Sequence, residues 1–246
     1  MVDYRVVVAG VLGIGPALAF LFHAMRRYDV PFVDEPLFDA GRLFMLFAGG
    51  MIFGGVSAFM SFTFPPASDF LILLALLIGF ALFEELFKFV VVNMKQFQLK
   101  YETTFYGLSL GLGVSSITML MTSFILMPVK FDTATAYVAV ALAAVYSISV
   151  CSLHASTGSY IGYGSATGYV WNYFIQAMIA RVAFAVMIIP FILGTDQVLS
   201  AISMVVAAVF SILLYVHVYT HILPETLPDK EKKRKRRTIR KMKIGS

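Results

Sequence analysis

FLILLALLIGFALFEELFKFVVV, residues 70–92, is apolar throughout except for Glu84, Glu85 and Lys88. A helix needs about 20 apolar residues to cross a hydrocarbon core about 30 Å thick. This stretch has that length, so its three charges fall inside a segment built for lipid. Glu84 lies about 21 Å along the helix from Phe70, at 1.5 Å per residue. A charge at such depth costs about 2.5–3.5 kcal/mol on insertion scales, so each of the three must be compensated.

The rest of the chain has the same character. Of 246 residues, 59% are apolar and 13% charged, and the mean hydropathy is +0.84. A water-soluble domain would be about half apolar and a quarter charged. The composition points to an all-α, multi-pass integral membrane protein. Cys151 is the single cysteine, which rules out an intrachain disulfide. The first 25 residues lack a signal peptide's basic start and small-residue cleavage site, and they read as a first helix kept in the protein.

Hydropathy and turn residues predict seven spans, at 6–25, 43–64, 70–93, 104–127, 134–163, 169–193 and 198–223. Pro65-Pro66, Pro128, Gly164–Gly168 and Gly194-Thr195-Asp196 separate some of them. Residues 1–225 form the expected membrane domain, and 226–246 a basic tail. That tail, KEKKRKRRTIRKMK at 230–243, carries much of the net charge of +5. It reads as a topology signal and a contact for anionic lipid. No aromatic or glycine-rich feature in it supports nucleic-acid binding.

Lysine and arginine accumulate on the cytoplasmic side. With the tail inside, an odd number of spans puts the N-terminus outside. The inside loops then hold Arg26, Arg27, Arg42, Lys95 and Lys100, and the outside segments only Arg5 and Lys130. The cell membrane is the expected location. Glycine pairs at Gly50/Gly54, Gly107/Gly111 and Gly158/Gly162 have the spacing that lets helix backbones approach closely in lipid.

Glu84 and Lys88 are spaced i, i+4 and predict a pair on one helix face. Glu85 points about 100° away from Glu84 and needs another partner. His154 in the fifth span, Thr118 in the fourth and Arg181 in the sixth fall at depths from which they could share a cavity with the acids. Two readings stay open. Glu84, Glu85 and His154 can form a metal or proton-transfer site, with one carboxylate deprotonating a bound water. Alternatively, Arg181 and Lys88 neutralise the acids in a buried ionic knot. His217 and His221 also have metal-ligand spacing, i, i+4, but stand among Tyr215 and Tyr219 at a helix end, where an interfacial belt explains them. His23, near Arg26 and Arg27, reads as interfacial too. A transporter or channel is a third class, without an inverted repeat to support it.

Four stretches in order resemble the PrsW-like intramembrane proteases of the CAAX-protease and bacteriocin-processing superfamily. They are GIGPALAFLFHAMRRYD (13–29) with Glu35-Pro36 after it, FEELFK (83–88), YGLSLGLGVSS (106–116) and SLHASTGSYIGYG (152–164). FEELFK matches the family's EExxK motif. The resemblance implies that Glu84 would activate water, and that Glu85 and His154 would hold metal. Active members carry a Glu-Asn pair where this chain has Thr118-Met119. They also carry a histidine, followed four residues on by Asp or Asn, where this chain has Arg181 and Ala185. Threonine and methionine are poor zinc ligands, and a guanidinium repels a dication. The chain is also similar to the anterior-pharynx-defective scaffold subunit of γ-secretase, a superfamily relative that does not itself cleave peptides. The resemblance therefore implies a degenerate protease that scaffolds or binds another integral membrane protein or a membrane-embedded peptide, with no cofactor expected. The alternative is an active metalloprotease using zinc on Glu84, Glu85 and His154, with His217 or His221 recruited.

Overall fold

The computed structural model describes residues 4–30, 32–33, 36–64, 69–126, 134–194 and 196–244. Glu35, Pro65, Pro66, Pro128, Lys130 and Thr195, singled out above, lie outside the described residues. All regular structure among the described residues is helical. Seven helices are long and apolar enough to cross a membrane: α1 (Tyr4–Met25), α2 (Ala40–Thr63), α3 (Phe70–Val92), α4 (Thr103–Leu126), α5 (Ala134–Thr167), α6 (Val170–Leu193) and α7 (Gln197–His217). A π-helical turn, Val218–Ile222, extends α7 into the short α8 (Leu223–Glu225), and the basic tail forms α9 (Asp229–Ile244).

Local chemistry sets several of the ends. Asp39 caps α2 through the Arg42 amide, Asp69 caps α3 through those of Leu71 and Ile72, and Asp196 caps α7 through those of Val198 and Leu199. Each carboxylate takes up amides that the first helical turn leaves unpaired. The break expected at Gly164–Gly168 is shorter than the sequence suggests. Gly164 to Thr167 stay helical, and Gly168 alone ends α5, at a φ of +84°. Gly164 instead serves packing, since a Cβ there would meet the Tyr173 side chain at 2.9 Å.

The most buried helix is the least apolar. The spanning window of α4 is 61% buried with a mean hydropathy of 1.6, whereas that of α3 is 22% buried with 2.4. Lipid contact demands apolar side chains, while contact with another helix in lipid rewards small ones. The glycine pairs act accordingly. A Cβ on Gly107 would overlap the Gly158 carbonyl, one on Gly111 the His154 carbonyl, and one on Gly54 the Val114 carbonyl. Gly113 meets Phe47 of α2 and Gly13 of α1 meets Ser116 in the same manner. The helix α4 is thus clasped between α2, α1 and α5 at near backbone contact. Several serine hydroxyls along α4 and α5 return to carbonyls one turn back, as Ser116 does to Gly113 and Ser156 to Ser152, so those donors are satisfied within the apolar layer.

At the end of the bundle that carries α9, Tyr215 and Tyr219 meet α1. The Tyr215 hydroxyl donates to the Phe20 carbonyl, and His23 stacks on Tyr219 with ring centroids 4.6 Å apart. Thr226 and Leu227 turn back under α4, with Leu227 in the main core and Thr226 against Thr104 at 2.6 Å.

Gly158→Ala should disrupt the α4–α5 contact, since its Cβ would land on the Gly107 carbonyl with no flexible atom to yield. Overpacking of this kind costs about 1–3 kcal/mol or more. Gly79→Ala, where a Cβ meets nothing within 4 Å, is the control, and it should leave thermal unfolding in detergent unchanged or raised.

Candidate functional site

The three charges of α3 lie on the face turned into the bundle. Glu84 is 4% exposed, and Glu85 and Lys88 are fully buried. Their partnerships differ from the spacing prediction. Lys88 pairs with Glu85 at 2.6 Å, an i, i+3 contact, and the expected Glu84–Lys88 pair does not form. The reason comes from other helices. Thr157 of α5 accepts from Lys88 Nζ at 2.8 Å and sits 3.1 Å from the same Glu85 oxygen, so it draws the ammonium toward Glu85. Glu84 is held from the opposite side. Its Oε2 accepts a hydrogen bond from Arg181 Nη2 of α6, and its Oε1 accepts one from Ser57 of α2 at 2.7 Å.

Arg181 links both acids. Its Nε lies 3.3 Å from Glu85 Oε1, an ion-pair distance without hydrogen-bond geometry. Its Nη1 lies 3.1 Å from His154 Nε2. A guanidinium has donors and no acceptor, so His154 Nε2 must offer its lone pair and the ring proton sits on Nδ1. That Nδ1 has no hydrogen-bond partner among the described residues, and neither has Glu85 Oε2. The two carboxylates and two cations therefore close a neutral cluster, bounded by His154, Ser57 and Thr157.

A cavity of about 180 Å³ opens over this cluster, with Glu84, Arg181, His154 and Thr118 at its polar end and Leu77, Phe80 and Phe184 among its walls. Thr118 spends its hydroxyl proton on the Val114 carbonyl at 2.9 Å. Met119 is buried and packs with Leu153 and Phe184. Between the same two helices that hold Ser57 and Glu84, Phe53 of α2 stacks on Phe87 of α3, centroids 3.6 Å apart and rings 2° from parallel.

The residues do not fit a zinc ion. His154 Nε2 and Glu84 Oε2 are 3.6 Å apart, but the Arg181 guanidinium holds both. A catalytic zinc has three protein ligands. Glu85 is committed to Lys88, and Thr118 and Met119 add no ligand. His217 and His221 do not line this cavity. They are exposed and stacked on each other at 4.9 Å, with His221 Nδ1 against Thr220 Oγ1 at 2.7 Å. Among the described residues no three His, Cys, Asp or Glu side chains form a group able to hold a metal.

Two contributors escape a sequence reading focused on charge, Ser57 and Thr157. Each carried a signal. Ser57 stands at i+7 and i+3 from Gly50 and Gly54, on the same packed face, and Thr157 stands at i+3 from His154. Compared with protein-family models, curated proteins and solved structures, the chain matches none of them.

Removing one member of a buried ion pair strands the other and costs about 3–5 kcal/mol. Lys88→Met should therefore lower the thermal stability of the purified protein sharply. Glu85→Gln combined with Lys88→Met should cost less than the sum of the two single changes, because no uncompensated charge remains at that end of the cluster.

Proposed function

We propose that this chain is a degenerate relative of the PrsW-like intramembrane proteases, and that it binds or scaffolds another integral membrane protein. The observation that carries the reading is the placement of Arg181. Its guanidinium bridges the carboxylate and the imidazole that a hydrolytic centre of this family would turn toward a metal. A fixed positive group at that point supplies neutralisation without Lewis acidity or an activated water. The chemistry left to the site is recognition. The cavity offers both donors, on Arg181, and an acceptor, on Glu84, beside apolar walls. Such a lining suits a membrane-embedded peptide segment that carries a polar group.

In this reading the N-terminus lies outside and the basic tail lies in the cytoplasm, against anionic lipid of the cell membrane. The distribution of Arg26, Arg27, Arg42, Lys95 and Lys100 against Arg5 and Lys130 supports that direction. Hydrolysis would require Arg181 to abandon Glu84 and His154 together, leaving two buried groups to find new partners.

Metal analysis of the purified protein is the direct test. Zinc should be well below one per chain and unaffected by Glu84→Ala or His154→Ala. One tightly held zinc per chain that either substitution removes would overturn the reading. In native membranes, a partner should co-purify in fixed ratio and be lost on Ser61→Trp, which puts a bulky ring in the cavity lining. A membrane substrate that accumulates uncleaved in a Glu84→Gln strain would instead establish proteolysis.

A further inference from the structure

The α9 end of the bundle holds positive charge in an arrangement the buried cluster does not explain. The Arg27 guanidinium lies 4.5 Å over the Tyr219 ring, and Lys235 Nζ lies 3.5 Å from the centroid of Tyr28. Among the described residues, no carboxylate lies within ion-pair distance of Arg27 or Lys235. An aromatic face attracts a cation weakly, by about 0.5–1 kcal/mol at exposed sites, and leaves its charge unneutralised. Lys235 also lines a surface groove of about 490 Å³ with Lys232, facing Thr220 and His221 at the end of α7. One acid, Glu225, shares that lining.

The groove's depth is set by its neighbours. The apolar run that begins in α7 reaches Tyr219 in the π-helical turn, and aromatic side chains at such helix ends sit at the headgroup level of a bilayer. The groove begins directly after it, at Thr220 and His221, so the same argument puts it at headgroup depth. We propose that it binds the phosphate of an anionic phospholipid headgroup, held by Lys232 and Lys235. Basic pockets at the ends of membrane helices take such headgroups. The lipid must be anionic, because a zwitterionic headgroup brings its own ammonium to two lysines. Burial, and then the charge of Arg27, push the Lys235 pKa down to about 8, so an anion seated beside Lys235 would offset a repulsion that the protein alone leaves in place. The inference rests on the reading that the tail lies against anionic lipid and deepens it to one groove; it does not depend on the protease resemblance, and its variants leave the α3 cluster untouched.

The test is calorimetric titration of the full-length protein in detergent with dihexanoyl phosphatidylglycerol, dihexanoyl phosphatidylcholine and inorganic phosphate. Phosphatidylglycerol should bind and phosphatidylcholine should not. Lys235→Ala should weaken binding by about five-fold or more, the effect of about one basic side chain at a lipid surface. Lys233→Ala removes the same charge from an exposed position on the other side of α9, and should change affinity by less than about two-fold. Equal losses in the two variants would reduce the site to diffuse attraction by the tail and overturn the proposal. So would phosphatidylcholine binding equally well, or inorganic phosphate binding as tightly as the lipid. Circular dichroism of both variants checks that α9 and the bundle stay helical.

Discussion

Two acids and two cations that lipid cannot solvate have to cancel each other, and that requirement fixes the positions of four helices. Glu84 and Glu85 leave α3 in directions about 100° apart. No single cation on a neighbouring helix could face both squarely. The chain answers with one cation from α3 itself and one from α6. Lys88 closes on Glu85 within α3, while Arg181 crosses from α6 to Glu84 and brushes Glu85. Hydroxyls from α2 and α5 occupy further lone pairs. A shift of α6 by one turn would move the guanidinium about 5.4 Å and leave Glu84 buried with only Ser57.

Such precision needs a stiff frame, and the glycine contacts supply it. With the α4 and α5 backbones in near contact at Gly107, Gly111 and Gly158, their side chains cannot slide past one another. His154 and Thr157 are carried by the same stretch of α5 that meets α4. The imidazole and the hydroxyl that border the cluster are therefore positioned by a packing seam containing no charged residue. Small residues set the distances between helices, and charges set the rotation of α3 and α6 against that seam.

This division explains what could be read from the sequence. Seven apolar stretches of spanning length announce themselves by composition, because lipid contact is a property of each segment alone. The glycine pairs were visible for the same reason, as a spacing within one helix. The choice of Glu85 over Glu84 by Lys88 was not. Both i, i+3 and i, i+4 place a side chain on the same face, and Thr157, some seventy positions away, breaks the tie. Gly164 looked like a helix end, yet the packed Tyr173 side chain rewards a residue with no Cβ at that point. The docking of Lys235 on Tyr28 joins opposite ends of the chain, and nothing in the local pattern of either segment encodes it.

The identity of the cation at Glu84 bears on what the site can do. A metal ion polarises a bound water and can exchange its ligands, so it supports turnover. A guanidinium is permanently charged, tethered to α6, and offers only N–H donors. It neutralises Glu84 as well as a metal would, but it can offer a bound group only hydrogen bonds. Among the described residues, the His154 Nδ1 proton and the second oxygen of Glu85 have no protein partner in this otherwise closed cluster. Buried donors and acceptors left open are costly, and one of the two, on His154, belongs to a residue that lines the cavity, as a recognition site would require. The guanidinium that neutralises Glu84 thus leaves a polar surface inside the bundle, where a hydrogen bond is electrostatically stronger than in water.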